Sequence, residues 1–289
     1  SAKYIDNLKN EDFRKEKINL SSVKIIASTG SPLSKESFKY IYEKIKKDVQ
    51  LTSIAGGTDL VGCLVLGNLY SNVYEGEIQG QSLGIDVDVF TEEGKSTKDG
   101  ERGELVVKKP FPSMPVKFWD DETGEKYNKA YFAKFKNIWH HGDFVERTSN
   151  NGFIVHGRSD ATLNPGGVRI GTAEIYQQVE DIDFITEGLI VGQNYKNDVR
   201  IVLFVTTKNN QPLDEEKIKF IKSKIRKNCS PKHVPAIIIK TPEIPRTKSG
   251  KIVEIAVRRI LNGEEINNKE AIANPKSLDF FKNIKQLSN

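Results

Sequence analysis

The chain has 289 residues, with 44 basic and 39 acidic side chains and a formal charge of +5. Apolar residues make up 37% and charged residues 29%, which excludes a disordered, single-sign polymer and leaves room for about two domains, each with its own core. The small basic excess suits an anionic small ligand; without a basic stripe or interleaved aromatics it gives no footprint for nucleic acid. Two cysteines, Cys63 and Cys229, form neither a CxxC pair nor a disulfide framework, which points to a reducing cytosol. No run approaches the ~18 apolar residues needed to cross a bilayer, so no membrane partner is expected. Ser1-Ala2-Lys3 shows no signal-peptide pattern and no initiator methionine, and reads as an internal cut.

Val23–Ala27 is a short apolar strand running into the turn residues Ser28-Thr29-Gly30-Ser31-Pro32. Ser34 stands where a helix N-cap belongs, and Phe38, Ile41, Tyr42 and Ile45 follow at helical spacing. Ser53-Ile54-Ala55 is a second strand, leading into an expected glycine loop at Gly56-Gly57. Strand, helix, strand and loop in that order predict an α/β layer with ligand loops at the strand ends. From about residue 76 the texture changes to alternation at Ile85, Val87 and Val89, a turn at Asp99-Gly100 and a strand at Leu105–Val107. This predicts a small antiparallel sheet or distorted barrel, followed by a loop with a short helix over 120–138. A domain boundary is expected at 159/160. Beyond it, Thr172 is expected to cap a helix, Leu189–Val191 and Ile201–Thr206 read as strands, and Asp214–Asn228 reads as a helix with Ile218, Ile221 and Ile225 on one face. Ala236–Ile239 is a third strand, so this part is mixed α+β.

Three local patterns are decoys. Gly80-Gln81-Ser82-Leu83-Gly84 fits GxSxG, but a hydrolase elbow needs a helix after its serine, and here a strand pattern follows. His140-His141 has no ligand spacing to His156 or His233. Gly250-Lys251 lacks the other residues of a P-loop.

Five strings occur in order along nearly the whole chain: Thr29-Gly30-Ser31-Pro32-Leu33; Ile54-Ala55-Gly56-Gly57-Thr58-Asp59; Trp139-His140-His141-Gly142-Asp143; Gly157-Arg158-Ser159-Asp160, continuing through Gly166–Ile175; and Pro245-Arg246-Thr247-Lys248-Ser249-Gly250-Lys251. Singly they are weak, but in this order the chain resembles the adenylate-forming acyl-CoA synthetases. The resemblance implies the part of the large adenylate-forming domain that holds a parallel sheet and a small β-barrel over 1–159, and a smaller, mobile α+β domain over 160–289. It implies an acid–thiol ligase using ATP, CoA and Mg²⁺, with small-molecule substrates in the cytosol.

Site roles follow from the same resemblance. Lys251, after a Ser-Gly turn whose flexibility suits a long ammonium, would neutralise charge at the adenylation transition state. Asp143 would grip the ribose hydroxyls, with Arg158 as a second ribose contact and Arg169 on phosphate. Gly30, Ser31 and Pro32 would pass the adenine. Thr58 would meet phosphate, and Asp59, shorter than the family's Glu, would hold Mg²⁺ through water. Asp160 falls at the family's hinge, Gly166 and Gly167 would line the pantetheine path, and Arg226 would touch the CoA nucleotide.

Gly56-Gly57 replaces the tryptophans of acetate-selective relatives and is expected to admit a longer acid. Met114–Asp121, Gly157–Pro165, Ser230–Pro235 and Ala273–Leu278 resemble the acetoacetate-activating branch. The expected reaction turns acetoacetate, ATP and CoA into acetoacetyl-CoA, AMP and pyrophosphate through an acyl-adenylate. Activation of acetate, propionate or butyrate and a non-catalytic nucleotide- or CoA-binding module are the alternatives. The family's Gly/Ser/Thr-rich phosphate loop is absent, so the missing N-terminal half of the same chain is an expected partner, and the fragment alone is expected to adenylate poorly.

Overall fold

The computed structural model describes residues 1–10, 18–196, 198–266 and 269–287. The chain divides into two compact units, Ser1–His156 and Gly157–Asn289.

In the first unit, α1 (Ala2–Asn10) precedes β1 (Ile25–Ser28), α2 (Lys35–Tyr40) and β2 (Gln50–Ser53). β1 and β2 pair in parallel, Ile25 opposite Gln50 through Ser28 opposite Ser53. Ser34 caps α2 by accepting the Ser37 N–H at 3.2 Å, and the helix widens into a π-helical turn at Ile41–Ile45. Phe38, Ile41 and Leu51 fill the small core that results. The first expected strand and the helix are therefore present, while the second strand runs over Gln50–Ser53 and not over 53–55.

The segment expected as a glycine loop is instead strand β3 (Ala55–Gly57), antiparallel to β4 (Gly62–Leu66), which in turn pairs with β5 (Gly80–Gln81). The antiparallel region continues with β6 (Val87–Phe90), β7 (Arg102–Val107), α3 (Glu125–Tyr131), β8 (Trp139–Arg147) and β9 (Phe153–Arg158). These strands form a second sheet of order β6-β7-β8-β9, and an Ile78–Phe153 bridge joins it to β3–β5. The boundary between the units falls inside β9. Ser82, of the hydrolase-like string, donates its hydroxyl to the Cys63 carbonyl after β5, with no helix following, so that motif is a turn between strands.

The second unit comprises α4 (Thr172–Glu180), β10 (Ile185–Tyr195), β11 (Asp198–Thr207), α5 (Glu215–Asn228), β12 (Ile237–Lys240) and α6 (Glu254–Leu261). β11 is central, antiparallel to β10 and parallel to β12. Successive strand side chains face opposite ways, so Leu203 and Val205 pack with Ile175, Val179, Ile221 and Ile225 on one face. Val202 and Phe204 pack with Val257, Leu278 and Phe281 on the other. With both faces covered, the strand reads as one apolar run, and each such side chain contributes about 1.5–3 kcal/mol of burial. Asp214 caps α5 by accepting the Lys217 N–H at 2.9 Å. Thr172 does not cap α4: Gly171 holds that position, and the threonine is the first helical residue.

Candidate active site

In the first unit the Gly30-Ser31-Pro32 turn follows β1 beside the end of β2, where ligands of parallel α/β layers bind. The exposed turn Gly30-Ser31-Pro32 is held there by Thr29, whose hydroxyl donates to the Ile54 carbonyl at 3.1 Å. β3 then carries Gly56. A Cβ at this position would stand 2.2 Å from the Gly62 carbonyl oxygen and 2.7 Å from the Cys63 Cα. The neighbouring strand therefore demands glycine here on its own account, whatever acid the site takes.

Thr58 and Asp59 lie exposed in the turn after β3, anchored by fully buried Leu60. The Asp59 Oδ2 accepts a hydrogen bond from the Tyr131 hydroxyl on α3. The Tyr131 ring stacks on Trp139, centroids 3.7 Å apart and planes 12° from parallel. Trp139 Nε1 donates to His141 Nδ1 at 3.4 Å, and His141 Nε2 lies 3.7 Å from Asp143 Oδ2. Asp143 is 9% exposed. The structure thus joins Asp59 and Asp143 through Tyr131, Trp139 and His141, three residues to which the sequence assigned no site role. One signal was available: Trp139, His141 and Asp143 alternate along β8 and so share a face. His140 points the other way, its Nε2 2.9 Å from Oε2 of fully buried Glu104, which also accepts from Lys134 Nζ at 2.6 Å. That histidine is structural.

Asp59 supplies one carboxylate. Among the described residues no group of three or more His, Cys, Asp and Glu is placed to hold a metal ion. A single carboxylate fits Mg²⁺, which keeps most of its water and takes phosphate oxygens.

In the second unit, Arg158 is half-exposed at the end of β9, with Nε 3.5 Å from Asp160 Oδ1. Asp160 lies in a 3₁₀ turn, Ser159–Ala161, and its carbonyl accepts from Arg258 Nη1. Arg169 Nε donates to the Thr162 hydroxyl at 3.4 Å. The Gly166 N–H donates to both Asp198 carboxylate oxygens, at 2.9 and 3.1 Å; this contact first, then the Val199 N–H, holds Asp198 below the usual carboxylate range. A Cβ at Gly166 would stand 2.6 Å from Lys232 Nζ, so Asp198 and Lys232 bracket the Gly166-Gly167 turn, and the sequence flagged neither. Arg226 is exposed in the last turn of α5.

Lys251 closes a hairpin. Thr247 donates its N–H to the Lys251 carbonyl at 2.8 Å, and the Lys251 N–H returns to the Thr247 hydroxyl at 3.0 Å. Gly250 occupies the left-handed region at φ +84°, which a side chain would oppose. Arg246 braces the turn, donating from Nη1 to the Gly250 carbonyl at 2.5 Å and from Nη2 to Glu187 on β10 at 2.9 Å. Asn274 accepts the Arg246 N–H at 2.9 Å, and the Ala271 carbonyl accepts that of Lys248 at 3.1 Å. The expected loose Ser-Gly turn is therefore a braced one, and Lys251 reaches outward by its side chain alone.

Three residues on, Glu254 begins α6 with its carboxyl turned inward, Oε1 accepting from the Tyr176 hydroxyl at 2.5 Å. Burial, and then the nearby Asp160 charge, raise it to about 7 against hydrogen bonds from Tyr176 and Thr172. Burial also pushes Tyr176 well above its ordinary value.

Acetoacetyl-coenzyme A synthetase of Rhizobium meliloti (strain 1021) is 55% identical over 290 aligned residues, covering all of this chain and 44% of the relative. The Xenopus tropicalis acetoacetyl-CoA synthetase is 45% identical over 273 residues, 94% of this chain and 40% of the relative. The chain is related, over its whole length, to the acetoacetyl-CoA synthetases. The solved acetoacetyl-CoA synthetase of Streptomyces lividans superposes with a TM-score of 0.90 at 36% identity, over 98% of this chain and 44% of that one. An anthranilate CoA ligase bound to anthranoyl-AMP shares the fold at a TM-score of 0.74 and 19% identity, over 90% of this chain and 48% of that one. No family model matches. The α/β architecture is thus that of adenylate-forming synthetases, and the chain spans under half the length of its acetoacetyl-CoA synthetase relatives. Among the described residues no helix is long and apolar enough to cross a membrane.

Proposed function

We propose that this chain forms part of an ATP-dependent ligase that joins acetoacetate to CoA. The acid's carboxylate attacks the α-phosphorus of ATP, giving an acyl-adenylate and pyrophosphate. The CoA thiolate then attacks the acyl carbonyl and expels AMP. What carries this reading is Lys251, an exposed ammonium on a hairpin braced by Arg246, in a chain whose whole length matches acetoacetyl-CoA synthetases.

In this reading Asp143 accepts from the ribose hydroxyls, Arg158 is a second nucleotide contact, and Gly30-Ser31-Pro32 passes the adenine. Thr58 and Arg169 meet phosphate, Asp59 would hold Mg²⁺, and Lys251 neutralises charge developing at the α-phosphate. Mg²⁺ would supply charge neutralisation at the phosphates. Asp160 is the hinge that withdraws Lys251 before thiol transfer, Gly166 and Gly167 leave room for pantetheine, and Arg226 binds the CoA nucleotide. The rest of the phosphate cradle lies in the length that the relatives have and this chain does not, so adenylation needs the longer chain. We place the reaction in the cytosol.

The test is an acid panel with the chain extended to its relatives' length, following acyl-CoA formation from acetoacetate, acetate and butyrate. Acetoacetate is expected to give the highest kcat/KM. Preference for acetate or butyrate would move the assignment to another short-acid synthetase, and binding of ATP and CoA without turnover of any acid would replace it with a binding module.

A further inference from the structure

The Glu254 carboxyl lies inside the second unit, where α4 and the turn that opens this unit approach the start of α6. Its Oε1 accepts the Tyr176 hydroxyl from α4 at 2.5 Å, and the Tyr176 oxygen in turn accepts the Ile190 N–H of β10 at 3.1 Å. Thr172, the first residue of α4, bonds it as well. The same Thr172 hydroxyl backs onto Gly157, the first residue after the unit boundary, where a Cβ would stand 2.9 Å away. One turn along α6, Arg258 holds the Asp160 carbonyl. The charges facing this cluster are Asp160 and Arg158 from the junction turn, Glu180 from α4 acting on Tyr176, and Arg258 from α6 itself.

A glutamate at the first position of a helix ordinarily faces water, where the helix N-terminus favours its anion. Turning it inward beside Asp160 and a buried tyrosine forgoes that gain. We infer that Glu254 is a positioning residue: with Thr172 and Tyr176 it clasps the junction segment 157–161 to the helix that starts directly behind the Lys251 hairpin, and the clasp loosens when the carboxyl loses its proton. Ionised, the carboxylate would stand against Asp160 in a partly dehydrated site, where like charges repel strongly. Its elevation to about 7 places that change at neutral pH. The device couples the turn that follows the unit boundary to the hairpin that carries Lys251, both within the second unit. It rests on the roles proposed above for Lys251 and Asp160.

Two arms test it. In this chain, isotope-labelled glutamate carboxyls are titrated by NMR together with the amides of residues 158–161. One carboxyl titrating at about 7, lost in Glu254→Gln, with junction amides following the same midpoint in the wild type only, is the expected result. Junction amides that do not respond, or respond equally in Glu254→Gln, overturn the clasp, and the wild-type titration judges it even if the variant does not fold. In the extended chain, the ratio of pyrophosphate exchange to thioester formation from supplied acyl-AMP is measured across neutral pH. The wild type is expected to change this ratio about five-fold, while Glu254→Gln stays flat; a flat wild type overturns the coupling. Lys251→Ala run alongside separates the two claims: adenylation surviving that substitution sinks the parent reading and leaves the NMR arm to decide the clasp.

Discussion

Tyr131 lies face to face with Trp139, ring centroids 3.7 Å apart, while its hydroxyl reaches Asp59. The stack is boxed by edge contacts from Phe118 and Tyr127 at 5.7 and 5.6 Å, so the phenol has little freedom and its hydroxyl is aimed by packing. Asp59 is a short carboxylate, and a side chain held from α3 fixes where it stands. Tyr131→Phe keeps the stack and removes the hydroxyl. The expected outcome is a loss of ~1 kcal/mol or less in the first unit and, in the extended chain, a KM for Mg·ATP raised about three- to ten-fold. Thioester formation from supplied acyl-AMP should be unchanged. Equal loss in both half-reactions would make Tyr131 structural only.

Gly56 separates two explanations of one residue. If its smallness served the acid pocket, Gly56→Ala would shift acid preference and leave folding alone. The backbone oxygen of Gly62 stands 2.2 Å from the Cβ that alanine would add, so β3 must part from β4. An overpacking cost of about 1–3 kcal/mol is expected, read as a lower urea midpoint by tryptophan fluorescence. That probe is specific, because Trp119 and Trp139 both belong to the first unit. Unchanged stability with altered acid preference would restore the pocket explanation.

Glu254 also makes a stability statement with a definite sign. Its folded pKa of about 7 lies above its ordinary 4.5, so folding takes up a proton between those values. The stabilisation is complete below the lower value and lost as pH rises through the upper one. Glu254→Gln removes this dependence, so the variant should gain on the wild type with rising pH, by on the order of 2 kcal/mol across the window, discounted for partial exposure. Amide exchange of buried Leu203 on β11 reports the second unit. A difference between the two proteins that does not vary with pH would show that the carboxyl keeps an ordinary value.

The periodic and capping features of this fold were legible because their causes are local. Ser34 and Asp214 cap the helices they precede, and the apolar run at 201–206 is the central strand of its sheet. The five ordered strings pointed to the right relatives. What sequence did not yield depends on partners far away in the chain: Tyr131 finds Asp59 across 72 positions, Tyr176 finds Glu254 across 78, and Arg246 finds Glu187 across 59. The crowding at Gly56 was hidden for the same reason, since the strand that crowds it begins only at Gly62, behind an unremarked turn. Thr172 was taken for a cap because its type suits one; the tertiary demand of Glu254 and Gly157 places it one residue inside the helix instead.

Arg246 and Lys251 yield a paired expectation about the same hairpin. Lys251 is exposed, and its backbone contacts do not need its side chain, so Lys251→Ala should leave folding within about 0.5 kcal/mol of the wild type. In the extended chain it should cut pyrophosphate exchange by about 10²–10³-fold while sparing thioester formation from acyl-AMP. Arg246 touches neither nucleotide nor acid in the proposed roles; it holds the Gly250 carbonyl against Glu187. Arg246→Ala frees the hairpin by removing its hydrogen bonds to the Gly250 carbonyl and Glu187, so it should both destabilise the second unit by about 1–3 kcal/mol and lower the kcat of adenylation with the KM for ATP nearly unchanged. The ammonium is still present in that variant and only its placement is lost. If Arg246→Ala raised KM and spared kcat, the guanidinium would be contacting the nucleotide directly, and the bracing role would be wrong.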